Sequence, residues 1–223
     1  MRDFQIVDAE QRSEAWLAVR LGCITASRAG DIVATIKSGE AAARRDYRLQ
    51  LVCERLTGQP QEDIYVNADM QRGMDLEPRA FAAYESVTGQ VVTRVGFVRH
   101  LSLMAGASPD GVIGDFDGLV ELKCPRSATH LKYLRAGTVP PDHLPQLLHQ
   151  LWITGAGYVD FVSFDPRFPE PWQVFIARLT RTAAAIGEYE SKALAFLSEV
   201  DRECEAIGTM ANVGGVLREA VEA

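Results

Sequence analysis

Ser108-Pro109-Asp110-Gly111 and Leu119-Val120-Glu121-Leu122-Lys123-Cys124-Pro125 are joined by a short link containing Gly114-Asp115-Phe116-Asp117-Gly118. The second segment reads as an apolar strand, Leu119 to Leu122, whose side chains alternate between faces. Glu121 and Lys123 are two apart and therefore share a face, while Leu122 turns into the core. Asp110 stands at a Pro-Asp-Gly turn, and a hairpin through residues 114–118 folds it back beside Glu121. Two carboxylates then converge with one ammonium beside them. That set suits a metal site for phosphodiester hydrolysis. Magnesium takes oxygen ligands, keeps several waters and commonly uses one or two carboxylates plus substrate phosphate.

A plainer reading competes with this one. Asp-Gly turns are common, and Glu-x-Lys on a strand is often a solvated face. Lysine usage argues against coincidence. Of the 23 basic residues only Lys37, Lys123, Lys132 and Lys192 are lysines. A chain that otherwise uses arginine has a lysine where a compact, tunable ammonium matters and a planar guanidinium does not substitute.

The 223 residues are enough for one well-buried domain, and 47% hydrophobic with 24% charged residues is ordinary for a globular protein. A single domain over 1–223 is expected, with a loosely ordered tail from about residue 208. No apolar run approaches the ~20 residues that span a bilayer. Met1-Arg2-Asp3-Phe4-Gln5 lacks the basic-then-apolar layout of a signal peptide. Cys23, Cys53, Cys124 and Cys204 are scattered, without a CxxC pair, and read as reduced thiols of a cytoplasmic protein with no membrane partner. The net charge of −7 excludes a generally basic DNA-coating protein. It leaves room for an enzyme with a basic channel and an acidic exterior, because clefts focus fields locally. Arg44, Arg45 and Arg48 form one basic cluster, and Arg126, His130, Lys132 and Arg135 another; each reads equally as a solvated helix face.

Along the chain an amphipathic helix is expected from about Ala9 to Leu21, with Trp16, Leu17 and Leu21 inward and Gly22 closing it. Thr25-Ala26-Ser27 looks like the capped start of a second helix through Val33. Helices follow over 41–57, stopped by Gly58, and from about Met70 to Val87, stopped by Gly89. Strand chemistry takes over at Val91–Val98, Leu103–Ala107 and Leu119–Lys123. Then come helices over about Ser127–Leu134 and His143–Thr154, strands Val159–Phe164 and Trp172–Ala177, and a long helix over about Thr182–Ile207. The layout is α/β (α+β), a mixed central β-sheet flanked by helices.

With the motif on its strands, the chain resembles the PD-(D/E)xK nucleases, which share a restriction-endonuclease-like core. More narrowly it resembles the lambda-exonuclease/YqaJ-type phage recombination exonucleases. The likeness covers roughly Ala15 to Pro166 and rests on separated segments in family order. These are Arg20 to Ser27, Gly73 to Glu77, Ser108 to Gly111, Leu119 to Pro125, Gln146 to Thr154, and Asp165-Pro166-Arg167. It implies that Asp110 and Glu121 are metal ligands with the Leu122 backbone carbonyl as a third, and that Lys123 orients or activates the attacking water. Glu77 would support the second metal or its water. Arg20, Ser27 and Ser108 would form a pocket for the 5′-terminal phosphate, and Met70 stands where an apolar wedge separates the duplex ends. Read without the resemblance, Glu77 is a solvated helix acid, Ser27 an N-cap, Arg20 a helix-end cation and Met70 a core methionine. The family often carries two glutamines one residue apart on the helix after the lysine. Gln146 matches the first, Leu148 replaces the second, and Gln150 lies two further on; Gln146 is taken as the assisting residue. His149 is expected to be structural. The resemblance further implies Mg2+, with Mn2+ as a substitute, linear double-stranded DNA as substrate, a homotrimeric ring, and a single-strand annealing protein as partner. A restriction or repair endonuclease, or a catalytically silent DNA-binding subunit, is the alternative. An iron–sulfur nuclease would need clustered cysteines that this chain lacks.

Overall fold

The strand that carries Glu121 and Lys123 organises the molecule, because its alternation supplies two different packing faces. The computed structural model describes residues 2–61 and 68–212. In chain order the elements are β1 (Phe4–Val7), α1 (Glu14–Arg20), β2 (Ile24–Thr25), α2 (Ala29–Ile32), α3 (Ala42–Thr57) and α4 (Ala68–Thr88). There follow β3 (Val92–Thr93), β4 (Phe97–His100), β5 (Ala105–Ala107), β6 (Gly111–Ile113) and β7 (Gly118–Lys123). The chain continues with α5 (Ser127–Ala136), α6 (Leu144–Thr154), β8 (Tyr158–Phe164), β9 (Val174–Thr180) and α7 (Ala183–Asn212).

The expected mixed α/β layout is present, as two sheets rather than one: four strands in the order β1-β4-β5-β2, and five in the order β3-β6-β7-β8-β9. β7 pairs antiparallel with β6 and parallel with β8. Its odd-numbered neighbours Leu119, Val159 and Phe161 join the main core with Leu147 and Leu151 of α6 and Ala193 and Phe196 of α7. The even-numbered Val120, Leu122 and Val162 pack with Ala80, Phe81 and Tyr84 of α4. Period-two alternation therefore points Glu121 and Lys123 to the α6 side and Leu122 to the α4 side.

Several boundaries differ from expectation. α1 begins only at Glu14, where the Ser13 hydroxyl caps the Trp16 N–H (3.1 Å), and none of its residues is buried. Residues 26–28 form a 3-10 turn before the single turn of α2, and Thr25 makes no capping bond. The expected strand 91–98 splits into β3 and β4, one per sheet. The chain crosses between them at Gly96, where a Cβ would lie 2.2 Å from the Val7 carbonyl oxygen, so only glycine passes. α7 runs through Asn212, beyond the point where a loose tail was expected, and residues 213–223 lie outside the described ones.

Of the first basic cluster, Arg45 is exposed and pairs with Asp46, as a solvated face would have it, whereas Arg44 and Arg48 are largely covered by ion pairs. Arg44 binds Glu199 in a fork (2.8 and 2.9 Å), and Arg48 reaches Glu40 (2.6 Å) and Glu203 (2.7 Å), tying α3 to α7. In the second cluster His130 is fully buried between the Ser163 hydroxyl (2.7 Å) and the Trp172 carbonyl (2.8 Å).

Asp165, just past β8, is fully buried and accepts from Ser127 (2.6 Å) and from Arg167 (2.7 and 2.8 Å). Burial opposes its charge, but these bonds outweigh it and pull the carboxyl down to about 2. A carboxylate whose pKa falls on folding adds stability above its unfolded value, and that stability fades as pH drops from about 4 toward 2. Asp165→Ala is expected to cost about 1.5–3 kcal/mol at pH 7 and progressively less below pH 4. Denaturant titrations at several pH values measure this.

Candidate active site

Turn and register bring the first carboxylate to the second. β6 and β7 pair with Gly111 opposite Val120, so the next position along the hairpin sets Asp110 against Glu121. The Asp110 Oδ2 atom accepts the Leu122 N–H at 2.7 Å, which locks the aspartate onto β7. Glu121 is buried, with 2% exposure. Its Oε1 accepts from the Lys123 ammonium and from Gln146 Nε2 (2.7 Å), and its Oε2 accepts from Gln150 Nε2 (2.6 Å). Gln146 and Gln150 are four apart on α6 and so lie on one helix face. The structure thus brings two glutamines to Glu121, where the sequence reading chose Gln146 alone.

The electrostatics follow from burial. Desolvation first, and the nearby Glu121 charge second, push the Asp110 carboxyl up to about 7. Burial would lower the Lys123 ammonium, but Glu121 and Asp110 outweigh it and hold it protonated well above its ordinary range. One ammonium therefore does not balance the site. Two carboxylates and the neighbouring Leu122 carbonyl are hard oxygen donors, still short of positive charge, and that donor set fits Mg2+ or Mn2+. Among the described residues no group of three or more His, Cys, Asp or Glu side chains is gathered to hold a metal, so the candidate set here is two carboxylates and a backbone carbonyl.

Asp110, Lys123, Glu77 and Met70 line one open cleft of about 560 Å³, within the range of roughly 300–1,000 Å³ usual for ligand sites. Glu77 projects from α4 and pairs with Arg94 at 3.1 Å. Met70, in the first turn of the same helix, is 48% exposed at the rim rather than packed in the core. Tyr133 and His143 line the opposite wall, with the Tyr133 hydroxyl 3.3 Å from His143 Nε2. His149 is structural, as expected: it is wholly buried on the Tyr189 hydroxyl (2.7 Å) and the Gly106 carbonyl (3.0 Å), and burial pushes its imidazole down to about 3.

A second constellation assembles where β2 pairs in parallel with β5, Thr25 opposite Gly106. The Arg20 guanidinium lies 3.4 Å from the Thr25 hydroxyl, which lies 3.4 Å from the Ser27 hydroxyl. Trp16, read from sequence as a core residue, is only half-buried. Its ring stacks under Arg20 (3.8 Å), and its indole N–H donates to the Ser108 hydroxyl (2.9 Å). Arg20, Ser27 and Ser108 are thereby joined through Trp16 and Thr25, two residues that sequence reading missed. The four-residue spacing of Trp16 and Arg20 on α1 was the available signal.

The chain belongs to the family of the YqaJ-like viral recombinase domain, whose model matches residues 15–157 and so spans both constellations. Among solved structures it is similar to an alkaline exonuclease (LHK-Exo) from Laribacter hongkongensis. The two share 42% identity over 90% of this chain and 98% of that one, with a TM-score of 0.80. The same exonuclease in complex with dAMP matches at equal identity and coverage with a TM-score of 0.81. A phage related exonuclease from Haemophilus somnus 129PT shares the fold at 13% identity, over 83% of this chain and 96% of that one, with a TM-score of 0.62. No curated protein matches the sequence. Among the described residues no helix is long and apolar enough to cross a membrane.

Proposed function

We propose that this protein degrades the 5′-phosphorylated strand of linear double-stranded DNA from its end. It would release mononucleotides and leave a 3′ single strand for recombination by annealing. Deoxyribonuclease activity of the exonuclease kind follows from the family and from the 42%-identical alkaline exonuclease. The observation that carries the finer reading is that Asp110 and Lys123 line one cleft with the buried Glu121 bonded to Lys123 directly behind them, while Ser108 of the Arg20, Ser27 and Ser108 group stands two residues before Asp110.

Asp110, Glu121 and the Leu122 carbonyl would hold Mg2+, with Mn2+ able to replace it. When bound, such an ion polarises the phosphoryl oxygen and lowers the pKa of a bound water. Lys123, protonated and tied to Glu121, orients the attacking water and adds positive charge where the phosphoryl oxygens gather negative charge. Gln146 steadies Glu121 from the helix above. Glu77 faces the same cleft from α4 and would take part in holding a second ion or its water. At the end-reading group, Arg20 offers a fork to the 5′-phosphate, Ser27 and Ser108 donate hydroxyls, and Met70 at the rim wedges the duplex ends apart.

Residues 1–223 are taken as one nuclease domain, in keeping with a core that runs from Phe4 to Val200. A homotrimeric ring around the duplex and a single-strand annealing protein as partner complete the reading. Their support is the likeness to recombination exonucleases, and sedimentation of the purified protein tests the ring.

The end-reading part is tested by comparing linear duplexes that carry a 5′-phosphate or a 5′-hydroxyl. The wild-type protein should prefer the phosphate. Arg20→Ala should reduce that preference by about 10- to 100-fold, the loss of a charge-assisted bond, while degrading the hydroxyl substrate as before. Trp16→Phe, which removes the donor to Ser108, should shift the preference in the same direction by less. Indifference of the wild-type enzyme to the phosphate removes the pocket from the reading and leaves the metal site standing.

A further inference from the structure

We propose that Gln150 is a positioning residue for this chemistry, fixing the carboxylate plane of Glu121 from inside the core. The inference rests on the reading of Glu121 as a metal ligand. Glu121 presents two oxygens with separate anchors: Oε1 is shared by Lys123 and Gln146, whereas Oε2 is met by Gln150 Nε2 at 2.6 Å. Gln146 is partly exposed, but Gln150 is wholly buried. A carboxylate held at one oxygen alone swivels about its terminal bond. Held at both, it keeps Oε1 turned toward Lys123.

The second observation is what Gln150 gives up. Its carbonyl Oε1 is buried and meets no hydrogen-bond donor among the described residues. Turning the amide over does not relieve this, because Oε1 would then face the Glu121 carboxylate and two acceptors would repel. The amide orientation is therefore dictated by Glu121, and an unsatisfied acceptor remains in the core. A residue there for packing alone has better choices, since methionine fills nearly the same volume with no orphaned oxygen. Unsatisfied buried groups in native proteins call for such an explanation. Residues that orient metal ligands change metal affinity by roughly 10- to 100-fold when replaced.

The test uses Gln150→Met and Gln150→Asn, the second retaining an amide too short to reach. Mn2+ and Mg2+ binding are measured by calorimetry on the full-length protein without DNA, and cleavage is then followed as a function of Mg2+ concentration. Metal affinity should fall about tenfold or more, with a matching rise in the Mg2+ needed for half-maximal kcat and an unchanged KM for DNA. Gln150→Met loses the orphaned oxygen but also the donor to the buried Glu121 Oε2, so circular dichroism first establishes that each variant is folded at the assay temperature. Wild-type metal affinity in either folded variant overturns the proposal. Glu121→Ala separates the two levels: if it binds metal as the wild type does, the ligand reading itself fails. If it loses metal while Gln150→Met does not, only the role of Gln150 is lost.

Discussion

Asp110→Asn is expected to lower DNA cleavage by at least about 10³-fold while raising the thermal stability of the metal-free protein at alkaline pH. The first effect follows from the magnitude of metal catalysis, several kcal/mol at about 1.4 kcal/mol per decade of rate. The second follows from burial. The Asp110 carboxyl, desolvated and facing Glu121, is pushed up to about 7. An acid whose pKa rises on folding binds its proton more tightly in the native state, so ionisation costs stability as pH climbs from about 4 through 7. Asparagine keeps an acceptor for the Leu122 N–H (2.7 Å from Oδ2 in the wild type) and removes the charge. In chelator at pH 8 the variant should therefore melt higher than the wild type, and at pH 4 the difference should vanish. Added Mg2+ should raise the melting temperature of the wild type and leave that of the variant nearly unchanged. A variant less stable than the wild type at pH 8 in chelator contradicts this account of the site's charge.

Lys123→Ala should lose about 10²–10³-fold in kcat and keep its affinity for DNA within a few-fold, because one ammonium in a large contact surface adds little to overall binding. It should also be destabilised, since Glu121 is buried and loses its cation. Lys123→Arg separates these roles. The guanidinium restores charge and stability, but its planar fork does not reproduce a compact ammonium beside water and phosphate. Recovery of stability without recovery of turnover is the expected pattern. Near-wild-type turnover by Lys123→Ala removes the lysine from the mechanism.

The central hairpin was legible because it obeys local rules. A Pro-Asp-Gly turn and a period of two are enough to set Asp110 beside Glu121 and to turn Leu122 away. Helix ends at Gly58 and Gly89 were equally local. What escaped sequence reading depends on partners far along the chain. Trp16 looked like a core residue because nothing in its helix shows that Ser108, 92 positions on, would meet its indole. Arg44 and Arg48 looked solvated because, besides the nearby Glu40, their carboxylate partners Glu199 and Glu203 lie far along the chain on α7. Gln150 ranked below Gln146 because only the packing of α6 over β7 reveals that both oxygens of Glu121 are engaged. The split of residues 91–98 was hidden for a similar reason, since the backbone that crowds Gly96 belongs to the N-terminal strand region.

The account as a whole meets its most direct test in a mixture of linear duplex and covalently closed circular DNA incubated with the protein. With Mg2+ the linear molecules should disappear with release of mononucleotides, the circles should stay intact, and chelator should stop all loss. Efficient cutting of the circles, or cleavage that continues in chelator, contradicts a metal-dependent enzyme that starts from DNA ends.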